Sequence, residues 1–405
     1  MNIAIIGAGA SGMTAALQAA WRGARVVLFE RNAAVGRKLL VTGSGRCNLT
    51  NDAARAGAYA CADPAWMETL LSGFGLRDLL DMLAEIGVLA RKTPDGWYYP
   101  ISESAAAVVD AFASALERAG VHLRLESQVT AIRPRGAGFG VHYLRGGREA
   151  EEPFERVIVA AGGKAYPSLG SRGELFAALA ELGHTVLPLR PALAPVLAEL
   201  GSLKPLQGQR LDVGASLWRG SQRLAATRGN LIFTEWGLNG PAVMDLSHQV
   251  SAHAGERLEL SLDVLAFCQA EFDGLLAARR ASDLPLRVLL EAFLPPKVAL
   301  TYLKNNRLDP DLALRQASEG GLARLKAALN DTRLAVKGVR DFEYCQVSAG
   351  GVPVTEADPR TLESLRVPGL HLCGETLDVV GPCGGYNLQY AFSSGALAGR
   401  AAARK

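Results

Sequence analysis

The hydrophobic pattern at the start of the chain changes from continuous to periodic and back again. The apolar run Ile3–Ile6 predicts a buried β-strand, and Arg25–Phe29 predicts a second one. Between them, small and apolar side chains recur at helical spacing after a glycine-rich turn. The pattern therefore predicts a strand, a helix from about Ser11 to Arg22 and a second strand, as at the start of a Rossmann-like α/β fold.

The turn after the first strand has the spacing of a dinucleotide-binding motif. Gly7, Gly9 and Gly12 form GxGxxG, and Glu30 follows Gly12 by 18 residues at the end of the second strand. The first glycine permits a tight turn, the second lets a pyrophosphate approach the backbone, and the third lets helix and strand pack closely. The helix N-terminus attracts the diphosphate and Glu30 can accept hydrogen bonds from ribose hydroxyls, so the motif predicts dinucleotide binding.

Two later segments indicate which dinucleotide is bound. Residues 156–171 contain a predicted buried strand that ends at Gly162-Gly163. Residues 367–403 contain a predicted strand, Gly374-Glu375, a loop and a Gly384-Gly385 entry to a final helix. This order resembles flavoproteins with two dinucleotide-binding domains, in which the late acid binds the ribityl chain of FAD and the final helix points its N-terminus at the flavin pyrimidine ring. The resemblance implies FAD as the cofactor.

The segment Gly36–Asn51, GRKLLVTGSGRCNLTN, follows the second strand and its acid. There the chain must pass along the adenosine and diphosphate, so Arg37 and Lys38 are placed to offset phosphate charge. The segment lacks the GxxxxGK[ST] spacing of a Walker P-loop. The alternative interpretation is a glycine-rich surface turn with incidental charges.

The second half of this segment carries the candidate reactive groups. Gly43 and Gly45 permit positive φ and expose backbone N–H groups, while Arg46, Cys47 and Asn48 can reach the flavin or the substrate. Arg46 and the exposed amides are expected to lower the pKa of the Cys47 thiol, which makes it a candidate proton donor. The alternative is that Cys47 is a small residue packed under the flavin ring.

The middle of the chain has a different pattern. Short alternating runs over about 193–249 predict antiparallel strands, residues 257–336 shift to helical periodicity broken by proline and glycine pairs, and strands resume at Phe342–Gly351. We predict three domains, which are an FAD-binding Rossmann-like domain over 1–192 and 341–405, an antiparallel β domain over 193–256 with about 337–345, and a helical insertion domain over 257–336.

Segments spread over nearly the whole chain together resemble one family, the BaiN/RdsA family of NAD(P)/FAD-dependent oxidoreductases. They are GRKLLVTGSGRCNLTN, AAGGKAYPSLGSRGELF, TEWGLNGPAVMDLS, VSAGGVPVTE and GLHLCGETLDVVGPCGGYNLQYAFSSG. The resemblance implies the three-part architecture and reduction of carbon–carbon double bonds, including uridine to dihydrouridine in ribosomal RNA and steps of bile-acid metabolism. We expect an FAD-dependent reductase, with ribosomal RNA uridine as the leading substrate class and a small enone-like metabolite second. A flavin-bound redox sensor with little turnover is the alternative.

The electron donor and the proton donor are less well defined. No second GxGxxG occurs, so we expect NAD(P)H to dock transiently and to leave before the substrate enters. Tyr386, near the start of the final helix, either donates a hydrogen bond to the substrate or packs on the flavin.

The predicted catalytic residues are Arg46, Cys47 and Tyr386. The predicted cofactor-binding residues lie in the glycine turns, in the loop after the second strand and around residues 129 and 161, and they are Gly7, Gly9, Ala10, Ser11, Gly12, Glu30, Arg31, Gly36, Arg37, Lys38, Gly43, Gly45, Arg46, Asn48, Val129, Ala161, Gly162, Gly163, Gly374, Glu375, Gly384, Gly385, Tyr386 and Asn387. No metal site is predicted, because the six histidines show no HExxH or paired ligand spacing.

Composition changes this picture little. The 405 residues, 49% hydrophobic and 20% charged, predict a globular protein of two or three domains. A net charge of +3 is compatible with RNA contact but does not require it. Six cysteines without a CxxC pair fit reduced thiols, and no apolar run approaches the roughly 18 residues of a membrane span. We expect a cytoplasmic protein without a membrane segment or a stable protein partner.

One segment departs from the even charge balance. Residues 287–340 hold ten Lys or Arg against five Asp or Glu. This excess indicates either ordinary solvated helix faces or a surface that contacts RNA.

Overall fold

The computed structural model describes residues 1–404, which divide into two compact units, residues 1–190 with 345–404 and residues 191–344. These residues form 19 β-strands and 13 α-helices. The strands β1 to β19 are, in chain order, Asn2–Ile6, Arg25–Phe29, Thr50–Asn51, Ala90–Lys92, Trp97–Pro100, His122–Arg124, Ser127–Arg135, Gly138–Arg145, Arg148–Phe154, Arg156–Val159, Leu187–Ala192, Val196–Ala198, Arg210–Arg219, Gln222–Thr234, Gly237–Asn239, Leu258–Asp263, Thr332–Val339, Val347–Gly351 and Leu370–Leu372. The helices α1 to α13 are Ala10–Ala20, Arg37–Leu40, Pro64–Gly73, Leu76–Glu85, Ala105–Arg118, Leu175–Glu181, Pro241–Met244, Ser247–Ala252, Gln269–Arg279, Leu286–Glu291, Pro296–Asn305, Glu319–Asn330 and Tyr386–Ala402.

A five-stranded parallel sheet organises the first unit. Its order is β19-β10-β1-β2-β6, and every neighbouring pair is parallel. Ile3, Ile5 and Leu28 are fully buried, as expected of strands covered on both faces. Because the carboxyl ends of parallel strands meet at one edge, the turns after β1, β2, β10 and β19 lie side by side.

Helices α1 and α13 pack against each other with almost no space between their backbones. A Cβ placed at Gly395 would overlap the carbonyl oxygen of Ser11, and one at Gly399 would overlap the carbonyl oxygen of Ala15. From the first contact to the second, the residue number increases by four on α13 and by four on α1, so the two helices run in the same direction. The sequence pattern Gly395-x-x-x-Gly399 on α13 therefore allows this close parallel packing.

Three smaller sheets complete the first unit. Strands β7-β8-β9 form an antiparallel meander, β3-β5-β4 form a short antiparallel sheet, and β11 pairs with β18. The segment Phe342–Gly351, expected to be extended throughout, forms a strand only from Val347.

The second unit is built on a closed barrel in the order β12-β15-β14-β13-β16-β17, with helices packed around their own apolar core. Strand β16 and the first five residues of β17 lie inside residues 257–336, where helices were expected. Leu258, Leu260 and Leu262 alternate with polar residues and are all buried, which is the period-2 signal of a strand. Within residues 1–404, no helix has both the length and the apolar character needed to cross a membrane.

Candidate active site

The glycine turn after β1 meets the start of α1 at the carboxyl edge of the parallel sheet. A Cβ at Gly12 would overlap the carbonyl oxygen of Gly7, so helix and turn touch through backbone atoms. Gly9, the residue that precedes α1, has no atom of residues 1–404 beyond its chain neighbours within 4 Å of its Cβ position, and no side chain among them caps the helix. The open backbone N–H groups and the helix dipole make this end of α1 suitable for an anionic group.

Glu30 presents a buried carboxylate at the end of β2. Its Oε2 accepts a hydrogen bond from the backbone N–H of Ala8 at 2.9 Å, and its Oε1 accepts from the backbone and side-chain amides of Asn32 at 2.9 and 2.6 Å. These bonds fix the carboxylate beside the glycine turn, where its oxygens keep lone pairs for further donors. The adjacent Arg31 forms an ion pair with Glu174 at 2.5 Å.

The loop after β2 is fixed to the same turn. The backbone N–H of Gly36 donates to the carbonyl oxygen of Ala8 at 2.8 Å, and Arg37 donates to the side-chain oxygen of Asn32 at 2.8 Å. Lys38 forms an ion pair with Glu375 at 2.6 Å, although 337 residues separate them in sequence. The cationic pair of the loop therefore lies beside the first glycine motif, with Lys38 held by a carboxylate of the last one.

Glu375 joins several distant segments. Its second oxygen, Oε1, accepts from the backbone N–H and the hydroxyl of Ser348 at 2.8 and 3.0 Å. A Cβ at Gly163 would overlap that hydroxyl oxygen, which also accepts from the backbone N–H of Lys164 at 3.0 Å. The chain after β10, the strand β18, the loop after β19 and α2 thus converge on one carboxylate.

The final helix begins at Tyr386, as predicted, and a second strand pair lies against its start. A Cβ at Gly385 would lie 2.5 Å from the carbonyl oxygen of Thr50, and the side-chain amide of Asn51 donates to the carbonyl oxygen of Gly384 at 3.0 Å. Gly385 has φ 95°, which favours glycine, and within the described chain no side chain caps α13. The start of α13, whose first backbone N–H groups have no partner within the helix, therefore lies beside β3.

Two side chains hold the loop that leads into this helix. The amide of Asn387 accepts from the backbone N–H of Gly381 and donates to its carbonyl oxygen, both at 2.8 Å. The hydroxyl of Tyr59 donates to the carbonyl oxygen of Tyr386 at 2.9 Å, and the two rings lie 6.0 Å apart. Asn387 is thus in a structural contact with its own loop, and the half-buried Tyr386 ring packs beside Tyr59.

Cys47 differs from its expected state. The residue has φ 60°, and its thiol is fully buried. Burial raises the pKa of Cys47 to about 11, although a hydrogen bond with Thr42 acts in the opposite direction. The expectation that Arg46 and nearby amides lower this pKa is wrong, because the thiol is buried in the core of the first unit and burial disfavours its charged form.

The raised pKa of Cys47 predicts a loss of stability in alkali that a Cys47→Ala variant should not show. An unfolded thiol ionises at about pH 8.5, whereas the folded one ionises at about 11, so the burial contributes its full stability below pH 8.5 and loses it as the pH rises to 11. We expect urea unfolding to show about 3 kcal/mol of extra loss in the wild type between pH 7.5 and 11. Parallel curves for the two proteins would contradict a buried neutral thiol.

The neighbours of Cys47 lie in two environments. The exposed guanidinium of Arg46 stacks over the ring of Tyr99, with its central carbon 4.7 Å from the ring centroid. Asn48 is buried, and in the amide orientation that satisfies its side chain the nitrogen donates to the carbonyl oxygens of Tyr98 and Thr50 at 3.2 and 3.1 Å. Arg46 alone of these three residues presents its polar group to solvent.

Some of the other predicted positions lie at the carboxyl edge of the parallel sheet, and others pack in the core. Ala161, Gly162 and Gly163 follow β10 at the carboxyl edge, and a Cβ at Gly162 would lie 3.1 Å from the hydroxyl oxygen of Ser171. Val129 lies in β7, paired with Tyr143 and packed on the core. The positions that the first unit brings to the carboxyl edge or to the start of α13 are Gly7, Gly9, Ala10, Ser11, Gly12, Glu30, Gly36, Arg37, Lys38, Ala161, Gly162, Gly163, Gly374, Glu375, Gly384, Gly385 and Tyr386.

Sequence reasoning missed several residues that shape this region. They are Asn32, Tyr59, Trp97, Ser348, Gln389, Ser394 and Gly395. Ser394, for example, accepts from the backbone N–H of Gly374 at 2.9 Å and so joins α13 to the loop after β19. Among these residues, only Gly395 belongs to a recognisable sequence pattern, Gly395-x-x-x-Gly399, which can indicate close packing of two helices.

Half of the cations in the basic segment of the second unit are paired with acids of that unit. Five of the ten cations in residues 287–340 form ion pairs within that unit, namely Arg287–Asp311, Arg315–Asp283, Lys326–Asp273, Arg333–Asp331 and Lys337–Glu199. Paired charges contribute little to the binding of a polyanion. The arrangement favours ordinary solvated helix faces.

Comparison with known proteins identifies the family. The family described as HI0933-like protein Rossmann domain matches residues 1–401. A 3-dehydro-bile acid delta(4,6)-reductase of Clostridium scindens is 34% identical over 100% of this chain and 99% of its own. A ribosomal RNA dihydrouridine synthase of Escherichia coli is 31% identical over 96% of this chain and 95% of its own.

Solved structures show the same fold. A 3-ketosteroid delta1-dehydrogenase from Sterolibacterium denitrificans has a TM-score of 0.54 and 12% identity, covering 99% of each chain. A 3-ketosteroid-delta4-(5alpha)-dehydrogenase from Rhodococcus jostii has a TM-score of 0.50 and 17% identity, covering 100% of this chain and 96% of its own. The Rossmann-like α/β prediction is confirmed, and the chain belongs to the HI0933-like Rossmann family.

Proposed function

We propose that this protein binds FAD and reduces a carbon–carbon double bond conjugated to a carbonyl group. The observation that carries this proposal is the offset between the N-termini of two parallel helices, neither of which has a side-chain cap from the described residues. Ser11 is the second residue of α1 and faces Gly395, the tenth residue of α13, so α13 starts eight residues further out. At about 1.5 Å per residue the two N-termini are offset by about 12 Å. FAD has an anionic diphosphate and an electron-accepting ring at the two ends of its ribityl chain, and this offset suits both.

The side chains around the two helix ends fit the rest of the molecule. Glu30 is placed to accept the ribose hydroxyls, because its bonds to Ala8 and Asn32 hold it beside the glycine turn. Lys38 and Glu375, paired at 2.6 Å, supply a donor and an acceptor between the two helix starts, where the diphosphate and the ribityl hydroxyls would lie. The open space at Gly9 is where the diphosphate would approach the backbone.

A bound flavin supplies two-electron chemistry in the form of a hydride. The protein binds and orients the reactants and excludes water. The start of α13 would stabilise negative charge on a flavin ring bound beside it, and Arg46 is the exposed donor on the neighbouring loop. Because Cys47 is fully buried with a raised pKa, we assign it a packing role, and we place the proton donor elsewhere, in solvent or at Tyr386.

The named substrates of the two relatives share one chemical feature. A 3-oxo-steroid with ring double bonds and a uracil ring both contain a C=C bond conjugated to a carbonyl. Uridine in ribosomal RNA remains the leading substrate class. A small enone is the second, favoured by the five ion pairs that neutralise half of the basic segment.

We propose NAD(P)H as the transient electron donor and the cytoplasm as the location.

The proposal is tested on the purified protein. We expect a yellow preparation that releases FAD on heating and whose flavin is reduced by NADPH or NADH without oxygen. A uridine-containing RNA oligonucleotide or a 3-oxo-4,6-diene steroid, added next, should reoxidise the flavin. A preparation that remains colourless after incubation with FAD would refute cofactor binding. Flavin that is reduced but is reoxidised by neither probe would favour the redox sensor, and mapping of dihydrouridine in ribosomal RNA of a deletion strain decides between the substrate classes.

A further inference from the structure

A row of flat side chains lies beside the start of α13. Trp97 and Tyr99 point to the same face of β5, with ring centroids 6.4 Å apart. A Cβ at Gly384 would lie 3.0 Å from the indole of Trp97, so the indole touches the residue next to the helix entry. At the other end the guanidinium of Arg46 lies on the Tyr99 ring. We call Trp97, Tyr99 and Arg46 the aromatic ledge.

The ledge is fixed rigidly to the helix start. Strand β5 pairs with β3, with Asn51 opposite Trp97, and the side chain of Asn51 donates to the carbonyl oxygen of Gly384 at 3.0 Å. Thr50 on the same strand bonds the side chain of Gln389 in α13 at 2.5 Å. A ligand on the ledge would therefore keep a defined position relative to the N-terminus of α13.

The two ends of the ledge offer different contacts. Trp97 is half-buried and keeps part of its indole accessible, whereas Tyr99 is almost entirely buried and serves as the support for Arg46. In the described chain, Arg46 contacts the Tyr99 ring and the carbonyl oxygen of Gly43, and neither group neutralises its charge. A guanidinium held flat in this way presents its remaining N–H donors in a fixed direction.

We propose that the ledge is the substrate-recognition surface of the reductase: Trp97 stacks on the flat conjugated ring and Arg46 donates to the carbonyl oxygen of that ring. This inference rests on the proposed function. As hydride adds to the carbon β to the carbonyl, the π electrons move to the carbonyl oxygen, where Arg46 stabilises the developing negative charge. A proton from solvent or Tyr386 then adds to the α carbon, and the C=C bond becomes a single bond. The electrons come from NAD(P)H through the flavin.

The test compares variants of the FAD-loaded protein by two readouts, flavin reduction by NAD(P)H and reoxidation by a probe at varied concentration. The probes are a uridine-containing oligonucleotide and a 3-oxo-4,6-diene steroid. We expect Trp97→Leu to raise the probe concentration for half-maximal reoxidation about tenfold, since stacking on an aromatic side chain is worth about 1–3 kcal/mol. Trp97→Phe should stay within about threefold of the wild type, because it keeps a flat ring. Trp21→Leu, which removes an indole that is 44% exposed directly after α1, is the matched control and should behave like the wild type.

Arg46 is tested by its maximal rate. Arg46→Lys keeps the charge but not the planar fork, so we expect a fall in maximal reoxidation of about 100-fold with unchanged reduction by NAD(P)H. If reoxidation by one probe is impaired by both the Trp97 and the Arg46 substitutions, that probe identifies the source of the conjugated ring. Equal behaviour of Trp97→Leu, Trp97→Phe and wild type towards both probes would overturn the ledge while leaving the flavin proposal intact. A loss of FAD from Trp97→Leu and Trp97→Phe alike would also overturn it, because it would show a structural role. A wild type without flavin would instead refute the proposed function itself.

Discussion

The Gly9→Ala variant should fold almost as stably as the wild type and bind FAD at least about tenfold more weakly, a difference of about 1.4 kcal/mol or more. Gly9 has φ −83° and ψ −171°, which any residue adopts, and no atom of residues 1–404 outside its chain neighbours lies within 4 Å of its Cβ position. A methyl group at this position would therefore contact only a bound ligand, which in the proposed complex is the FAD diphosphate. Loss of a glycine before a helix costs up to about 1 kcal/mol, so the unfolding midpoint of the apoprotein should change little.

Gly12→Ala is the matched comparison, three residues further along. Its Cβ would overlap the carbonyl oxygen of Gly7 and lie 3.2 Å from the Cβ of Ala160, so the turn must move and the residue that follows β10 must shift slightly. We expect Gly12→Ala to lose about 3 kcal/mol or more of stability as well as FAD. Thermal unfolding without FAD, followed by titration with FAD, separates the two effects. Wild-type FAD affinity in Gly9→Ala would show that the diphosphate binds elsewhere.

Local patterns were sufficient to predict the elements that carry the first glycine motif. The apolar run of β1, the glycine spacing and Glu30 lie within thirty residues, and the structure has β2 at Arg25–Phe29 as the pattern predicts. The start of α13 at Tyr386 was likewise marked by the glycine pair before it. In both cases a turn residue with special backbone freedom adjoins a periodic segment, and that signal is local.

Contacts between distant segments were not predictable in this way. The ion pair of Lys38 with Glu375 joins residues that are 337 apart, so Lys38 was assigned to phosphate alone. Ser348 lies in a strand whose sequence gives no sign that its hydroxyl meets Glu375. The state of Cys47 is unpredictable for a related reason, because the sequence shows that Arg46 is adjacent but not that the thiol is buried in the core.

Gly395→Ala should destabilise the first unit by about 2 kcal/mol or more and weaken FAD binding at the same time. Alanine normally stabilises a helix interior relative to glycine by about 1 kcal/mol, but here its methyl group would overlap the carbonyl oxygen of Ser11. Helices α1 and α13 would have to separate, and that shifts the two N-termini whose offset suits the cofactor. The change should therefore appear both in denaturant unfolding and in FAD titration.

Gly274→Ala provides the control for this substitution, since it makes the same chemical change in the middle of α9, where no other atom of the described chain beyond its neighbours and its own helix backbone lies within 4 Å of the Cβ position. We expect it to stabilise the second unit by about 0.5–1 kcal/mol and to leave FAD binding unchanged. If Gly395→Ala stabilised the protein as Gly274→Ala does, α1 and α13 would not touch through their backbones. The helix offset of about 12 Å would then no longer support FAD binding, whereas destabilisation together with weaker FAD binding ties the cofactor to this helix pair.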